Sequence, residues 1–234
     1  LDQKAAKISV TQRAIEQIKA MIAEGELRAG QRLPTERDLS ADLGLSRSSM
    51  REAIRALTAM GVLEARHGAG VYVTQLAPSD LLETFGVVAE ISRGATLVEL
   101  LQIRRILEPA ATSMAAARVT DAQLAVIHTH LEEMAASEQI EEFVAADLAF
   151  HRDVVAAAGN ATLAAIIDGL STRTFRARVW RGQKEKGVLS QMHLEHVRIY
   201  RALAARDPEA ASAAAAVHVG EVENWLRENI ADFE

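Results

Sequence analysis

The chain has 234 residues, enough for one large domain or two small ones with cores of their own. An aromatic content of 4% makes that core aliphatic, and abundant alanine with only 4 prolines favours helix over sheet. Cysteine is absent, which excludes a disulfide scaffold, a thiolate nucleophile and any Cys-ligated metal. No run approaches the roughly 18 consecutive apolar residues of a membrane span, and Leu1 to Lys7 are followed by no apolar leader, so no membrane partner and a cytoplasmic location are expected. The formal charge of −6 is split unevenly: residues 1–76 carry +2 and residues 77–234 carry −8. That asymmetry suits a nucleic-acid-binding module joined to an acidic partner domain.

Taken in order, Val10 to Glu24 reads as a helix, with Ile15, Ile18, Met21 and Ile22 at helical spacing. A turn follows over Gly25–Pro34. Thr35 then opens a short second helix through Glu36, Arg37 and Asp38, which ends at Gly44. Ser46 is the expected N-cap of a third helix, Arg47 to Met60, whose apolar face is Met50, Ile54 and Leu57 and which Gly61 closes. Two short strand-like runs, Val62–Arg66 and Val71–Thr74, flank His67-Gly68-Ala69-Gly70 and form a hairpin. Gln75 to Ser79 reads as a linker, and everything after it as helix: 79–92, 96–118, 121–136, 139–158, 161–182, 187–206 and 208–230. The expected fold is mainly α, an N-terminal winged helix-turn-helix over residues 1–74 and a C-terminal all-α antiparallel helical bundle over residues 80–234.

A helix-turn-helix lays the start of its second helix in the major groove. Here that start is Ser46-Arg47-Ser48-Ser49-Met50-Arg51. Arg47 and Arg51 are one turn apart on one face with Ser48 beside them, and arginine bonds guanine bidentately. Arg37, in the preceding helix, can reach phosphate, and His67 with Gly68 forms a wing tip able to approach the minor groove. The runs Gly30 to Leu39, Leu43 to Leu57 and Gly61 to Leu63 closely resemble the winged helix-turn-helix of the GntR superfamily of bacterial repressors. The resemblance implies DNA contacts from Arg37, Arg47, Ser48, Ser49, Arg51, His67 and Gly68.

In the acidic part, Asp147 and His151 stand four apart on one helical face, and His196 and His218 lie in later helices. Three imidazoles and a carboxylate suit a divalent metal such as Zn, Ni or Mn. His128, His130 and His193 are also present, so spacing alone does not choose the ligands. The runs Ile103 to Pro109, Asp147 to His151, Gly159-Asn160, Glu195 to Ile199 and Ala214 to His218 resemble the FCD effector domain of the FadR-type GntR subfamily. That resemblance implies Asp147, His151, His196 and His218 as metal ligands. It also implies Arg104 as the arginine facing the same cavity, where its fork suits a carboxylate. The plainer reading of Arg104 is a surface ion pair with Glu108, four residues on.

The function expected is a transcription regulator, read as a repressor, that binds a palindromic double-stranded DNA operator as a homodimer. A small carboxylate or hydroxy-acid effector at the metal site would control it. The alternatives are a metal-dependent hydrolase or lyase in the helical domain, which lacks a motif-placed general base, and a regulator for which the metal is itself the signal.

Overall fold

The computed structural model describes residues 9–77 and 94–233. Contacts divide the chain into two compact units, Leu1–Thr84 and Phe85–Glu234. The helix expected over 79–92 lies outside the described residues.

In the first unit, helix α1 (Val10–Ala23) begins at Ser9, whose hydroxyl accepts from the backbone N–H of Gln12 at 3.0 Å. Helix α2 (Glu36–Asp42) is capped by Thr35, and helix α3 (Arg47–Ala59) by Ser46, whose Oγ accepts from the Ser49 N–H at 3.1 Å. Each cap satisfies an N–H that the first helical turn leaves without a partner. Strands β1 (Leu63–Arg66) and β2 (Gly70–Val73) pair antiparallel, with Leu63 opposite Val73 and Arg66 opposite Gly70. Gly68 turns the hairpin at φ +71°, a left-handed backbone that a side chain would strain. One core joins these elements: Ile18, Leu39, Met50, Leu57, Leu63 and Val73 are all buried in it. The apolar face of α3 is therefore turned inward, as its sequence spacing requires, and its arginines are left outside.

The second unit is all helix among the described residues: α4 (Gly94–Ala116), α5 (Asp121–Ala136), α6 (Ile140–Ala156), α7 (Ala161–Arg173), α8 (Phe175–Lys184), α9 (Val188–Ala204) and α10 (Pro208–Phe233). Thr120 and Gln123 form a reciprocal capping box at the start of α5. Helix α4 packs most extensively on α10, where Ala211 and Ala215 are buried and let the neighbouring helices approach closely. Phe150, Val154, Ile199 and Leu203 join α6 and α9 to that core.

One expectation is corrected here. The single helix expected over 161–182 is two helices, broken at Thr174. The Thr174 side chain is turned inward: Oγ1 donates to the Ser171 carbonyl at 3.0 Å and accepts from Arg104 Nη1 at 3.0 Å. Threonine competes for backbone groups in this way and disturbs helices from within. The break brings the face carrying Ser171 and Arg178 against α4 and α6.

Candidate metal centre and nucleic-acid interface

On the first unit, Arg37, Arg47, Ser48, Arg51, His67 and Gly68 are exposed and Ser49 is half-buried. Ser48 and Ser49 both bond the Ser46 hydroxyl, at 3.0 and 2.9 Å, so the cap fixes the hydroxyls that open α3. Arg51 Nε donates to Glu36 Oε2 at 2.9 Å, which ties the start of α2 to α3. Both side chains are substantially exposed, so the pair is weak. An open groove of about 520 Å³ runs between α2, α3 and the wing, lined by Glu36, Arg51, Ile54, Arg55, Thr58, Ala65 and Val71. Arg55 is the residue the sequence reading passed over. It continues the Arg47–Arg51 stripe at the same four-residue step, and that step was the available signal.

In the second unit the four expected ligands meet. One ligand atom from each of Asp147, His151, His196 and His218 lies within 4.8 Å of all the others, and all four residues are buried. Two come from α6, one from α9 and one from α10. The Nε2 atoms of His151 and His218 are 3.1 Å apart, as are those of His196 and His151. Asp147 Oδ1 stands 2.9 Å from His196 Nε2.

The other ring nitrogens fix the tautomers. His151 Nδ1 meets Glu108 Oε1 at 2.5 Å, His196 Nδ1 meets the Met192 carbonyl at 2.7 Å, and His218 Nδ1 meets Glu195 Oε2 at 2.9 Å. Each partner only accepts, so each Nδ1 donates, and a neutral ring then has its lone pair on Nε2. With the rings neutral, as ligation requires, three lone pairs and a carboxylate oxygen converge with no hydrogen between them, an arrangement that a cation relieves. Asp147 Oδ1 accordingly has no hydrogen-bond donor. Two nitrogens each about 2.1 Å from one ion lie about 3.0 to 3.4 Å apart at ordinary ligand angles, which the observed separations match. The donor set therefore fits a metal, and the hydrogen-bonded second ring nitrogens are the usual support for metal-ligating histidine.

The electrostatics agree. Burial, reinforced by His196, pushes the His218 imidazole down to about 3, so the ring is neutral and ready to ligate. Burial likewise lowers the His151 pKa. Burial alone would raise the Asp147 carboxyl, but the Arg178 guanidinium, His196 and His151 together outweigh it and hold the group well below the usual range. Burial likewise opposes the charge of Glu108 and Glu195, but Arg104, His151 and His218 together lower the first, and His218, Gln191 and Arg181 together lower the second.

Arg104 is fully buried, and the ion pair weighed from its spacing is present: Nε and Nη2 grip Glu108 at 2.9 and 3.3 Å. It is an interior pair, not a surface one, and it reaches the ligand cluster through the Glu108–His151 bond. Arg178 Nη1 donates to Asp147 Oδ2, and Nη2 donates to the Ser171 carbonyl at 2.7 Å. Sequence reasoning missed Glu195 as a support, saw Glu108 only as a partner for Arg104, and weighed Arg178 only beside Arg173 and Arg176 as an arginine able to line the pocket. Both glutamates lie inside the quoted runs, which was the available signal; the spacing of Arg178 gave none.

The remaining histidines divide. His128 is exposed and His193 half-buried. His130 is a tie between helices, 2.7 Å from Asp153 of α6 and 3.0 Å from Glu133. Burial opposes its charge, but Glu133 and Asp153 outweigh this and raise its pKa above 6.5. A raised folded-state pKa contributes stability that is fully present below the unfolded value and is lost as pH rises through the folded one. We expect His130→Gln to destabilise the protein at pH 6 by on the order of 0.5 kcal/mol and to have no effect at pH 9, measured by thermal melts at both pH values. A loss that is equal at the two pH values would show that the ion pairs contribute nothing.

A winged helix-turn-helix with an exposed arginine stripe, followed by an all-α unit whose buried Asp/His cluster could hold a metal, is the architecture of a DNA-binding regulator. Residues 10–73 match the gntR family of bacterial regulatory proteins, and residues 99–221 match the FCD domain. LutR, an HTH-type transcriptional regulator of Bacillus subtilis (strain 168), is 33% identical over 88% of this chain and 96% of its own length. The Glc operon transcriptional activator of Escherichia coli (strain K12) is 33% identical over 94% of this chain and 88% of its own. Among solved structures, Streptococcus agalactiae GntR shares the fold with a TM-score of 0.70 at 24% identity, over 92% of this chain and 99% of that one. The chain belongs to the GntR family, in the FadR-type branch whose second domain is FCD. It is a transcription regulator and not an enzyme; its first domain is a DNA-binding module and its second an effector-binding one. No helix among the described residues is long and apolar enough to cross a membrane.

Proposed function

We propose that this regulator couples operator binding to a small organic acid held at a metal in the FCD domain. Asp147, His151, His196 and His218 hold one divalent ion, Zn, Ni or Mn, whose positive charge attracts the acid's carboxylate. Arg104 keeps Glu108 charged, and Glu108 keeps the His151 ring aimed. Arg104 uses Nε and Nη2 on Glu108 and Nη1 on Thr174, and each Nη atom has one further N–H for the acid. The convergence of three Nε2 atoms, each with its Nδ1 anchored, carries this reading.

On the first unit, Arg47 and Arg51 read bases in the major groove, Arg37, Ser48 and Ser49 hold phosphate, and His67 and Gly68 bring the wing to the minor groove. The operator is a palindrome read by a homodimer, because a two-fold protein places two identical heads on one face of the duplex. The acid lowers operator affinity, as an inducer does for a repressor. It does so by binding one arrangement of the dimer better than the other.

Native mass spectrometry tests the assembly and the site together. The expected spectrum is two chains with one divalent ion each and a small acid lost on activation. A metal-free monomer would contradict the reading.

A further inference from the structure

Five buried side-chain polar atoms have no hydrogen-bond partner among the described residues, and three of them are on α7 and α8: Ser171 Oγ, Arg178 Nε and Arg181 Nη1. All three can donate. Ser171 and Arg178 are adjacent, since Arg178 Nη2 reaches the Ser171 carbonyl. They share a face with Thr174, which bonds Arg104. A pair of buried donors beside a metal-ligand cluster asks for an acceptor that protein groups do not supply.

The charges say what kind. Arg178 is paired with Asp147, Arg104 with Glu108 and Arg181 with Glu185, which leaves the Arg178 Nε–H as a charged donor with no protein acceptor. A buried guanidinium N–H and a buried hydroxyl left without an acceptor are costly, and a second carboxylate accepts from both.

We infer, resting on the metal-and-acid reading above, that the effector is a short dicarboxylate, with one carboxylate on the metal beside Arg104 and the second on Arg178 Nε and Ser171 Oγ. The ligand is short because Arg178 itself touches Asp147, a metal ligand. Arg178 has two duties, aiming Asp147 and selecting the second acid group, whereas Ser171 has only the second.

Calorimetric titration of the zinc-loaded full-length protein tests this, using succinate against butyrate, which has the same number of carbons. Succinate should bind at least tenfold more tightly. Ser171→Ala should lower succinate affinity severalfold with butyrate unchanged, and Arg178→Lys should lower succinate affinity tenfold or more, a larger loss than any it causes for butyrate by loosening Asp147. Zinc affinity without acid should be unaltered in Ser171→Ala, which removes one hydroxyl and keeps the fold. Equal affinity for the two acids, or a succinate preference that persists in both variants, overturns the inference and leaves the metal-and-acid reading standing. Binding of neither acid to the zinc-loaded protein overturns both.

Discussion

Replacing His196 with alanine should abolish the thermal stabilisation that a divalent ion gives this protein. The ligands come from α6, α9 and α10, so an ion at the cluster staples three helices that the unfolded chain leaves apart. Binding to the folded state alone adds about 2.7 kcal/mol when free metal exceeds its dissociation constant a hundredfold. For a protein of this size that is a rise of roughly 5–10 °C in melting temperature. Melting curves with zinc, with chelator, and with chelator then excess nickel or manganese measure it. Wild type should gain and lose the increment reversibly, and the His196→Ala curve should be the same in every buffer. An equal response in the variant would place the ion elsewhere.

The second large effect is on DNA. Arg47→Ala and Arg51→Ala should each weaken operator binding by about 1–3 kcal/mol, the range for a bidentate base contact. Neither should unfold the head, because both side chains are exposed and the core contacts of α3 come from Met50, Ile54 and Leu57. Loss of the exposed Arg51–Glu36 pair costs at most about 1 kcal/mol of stability. Anisotropy titrations at fixed salt, on an operator selected from random duplexes, read the effect, and the metal-linked melting increment should be intact in both variants. Unchanged affinity in both would remove α3 from the interface.

The first unit was legible almost throughout because its signals are local. Thr35 and Ser46 cap the helices they precede, Gly61 ends α3 at φ +73°, and the wing turns at Gly68. The metal cluster was half legible: the Asp147/His151 step is a one-face pattern, but His196 and His218 could be chosen over His193 only through family resemblance. The rest depends on contacts between residues far apart in sequence. The break at Thr174 is tied to a bond from Arg104, 70 residues away, and nothing near Thr174 announces it. Arg178 meets Asp147 across 31 residues, and among the neighbouring arginines its spacing did not mark it out. The interior position of the Arg104–Glu108 pair was equally hidden, since an i,i+4 pair reads the same on a surface as in a core.

The linkage of the two units is tested most directly by operator affinity measured with zinc alone and with zinc plus a panel of short carboxylates and hydroxy acids. At least one acid should weaken operator binding by the roughly 5- to 150-fold typical of coupled sites, and His196→Ala should bind the operator the same with or without it. An operator affinity that no acid shifts in the zinc-loaded wild type would contradict the account.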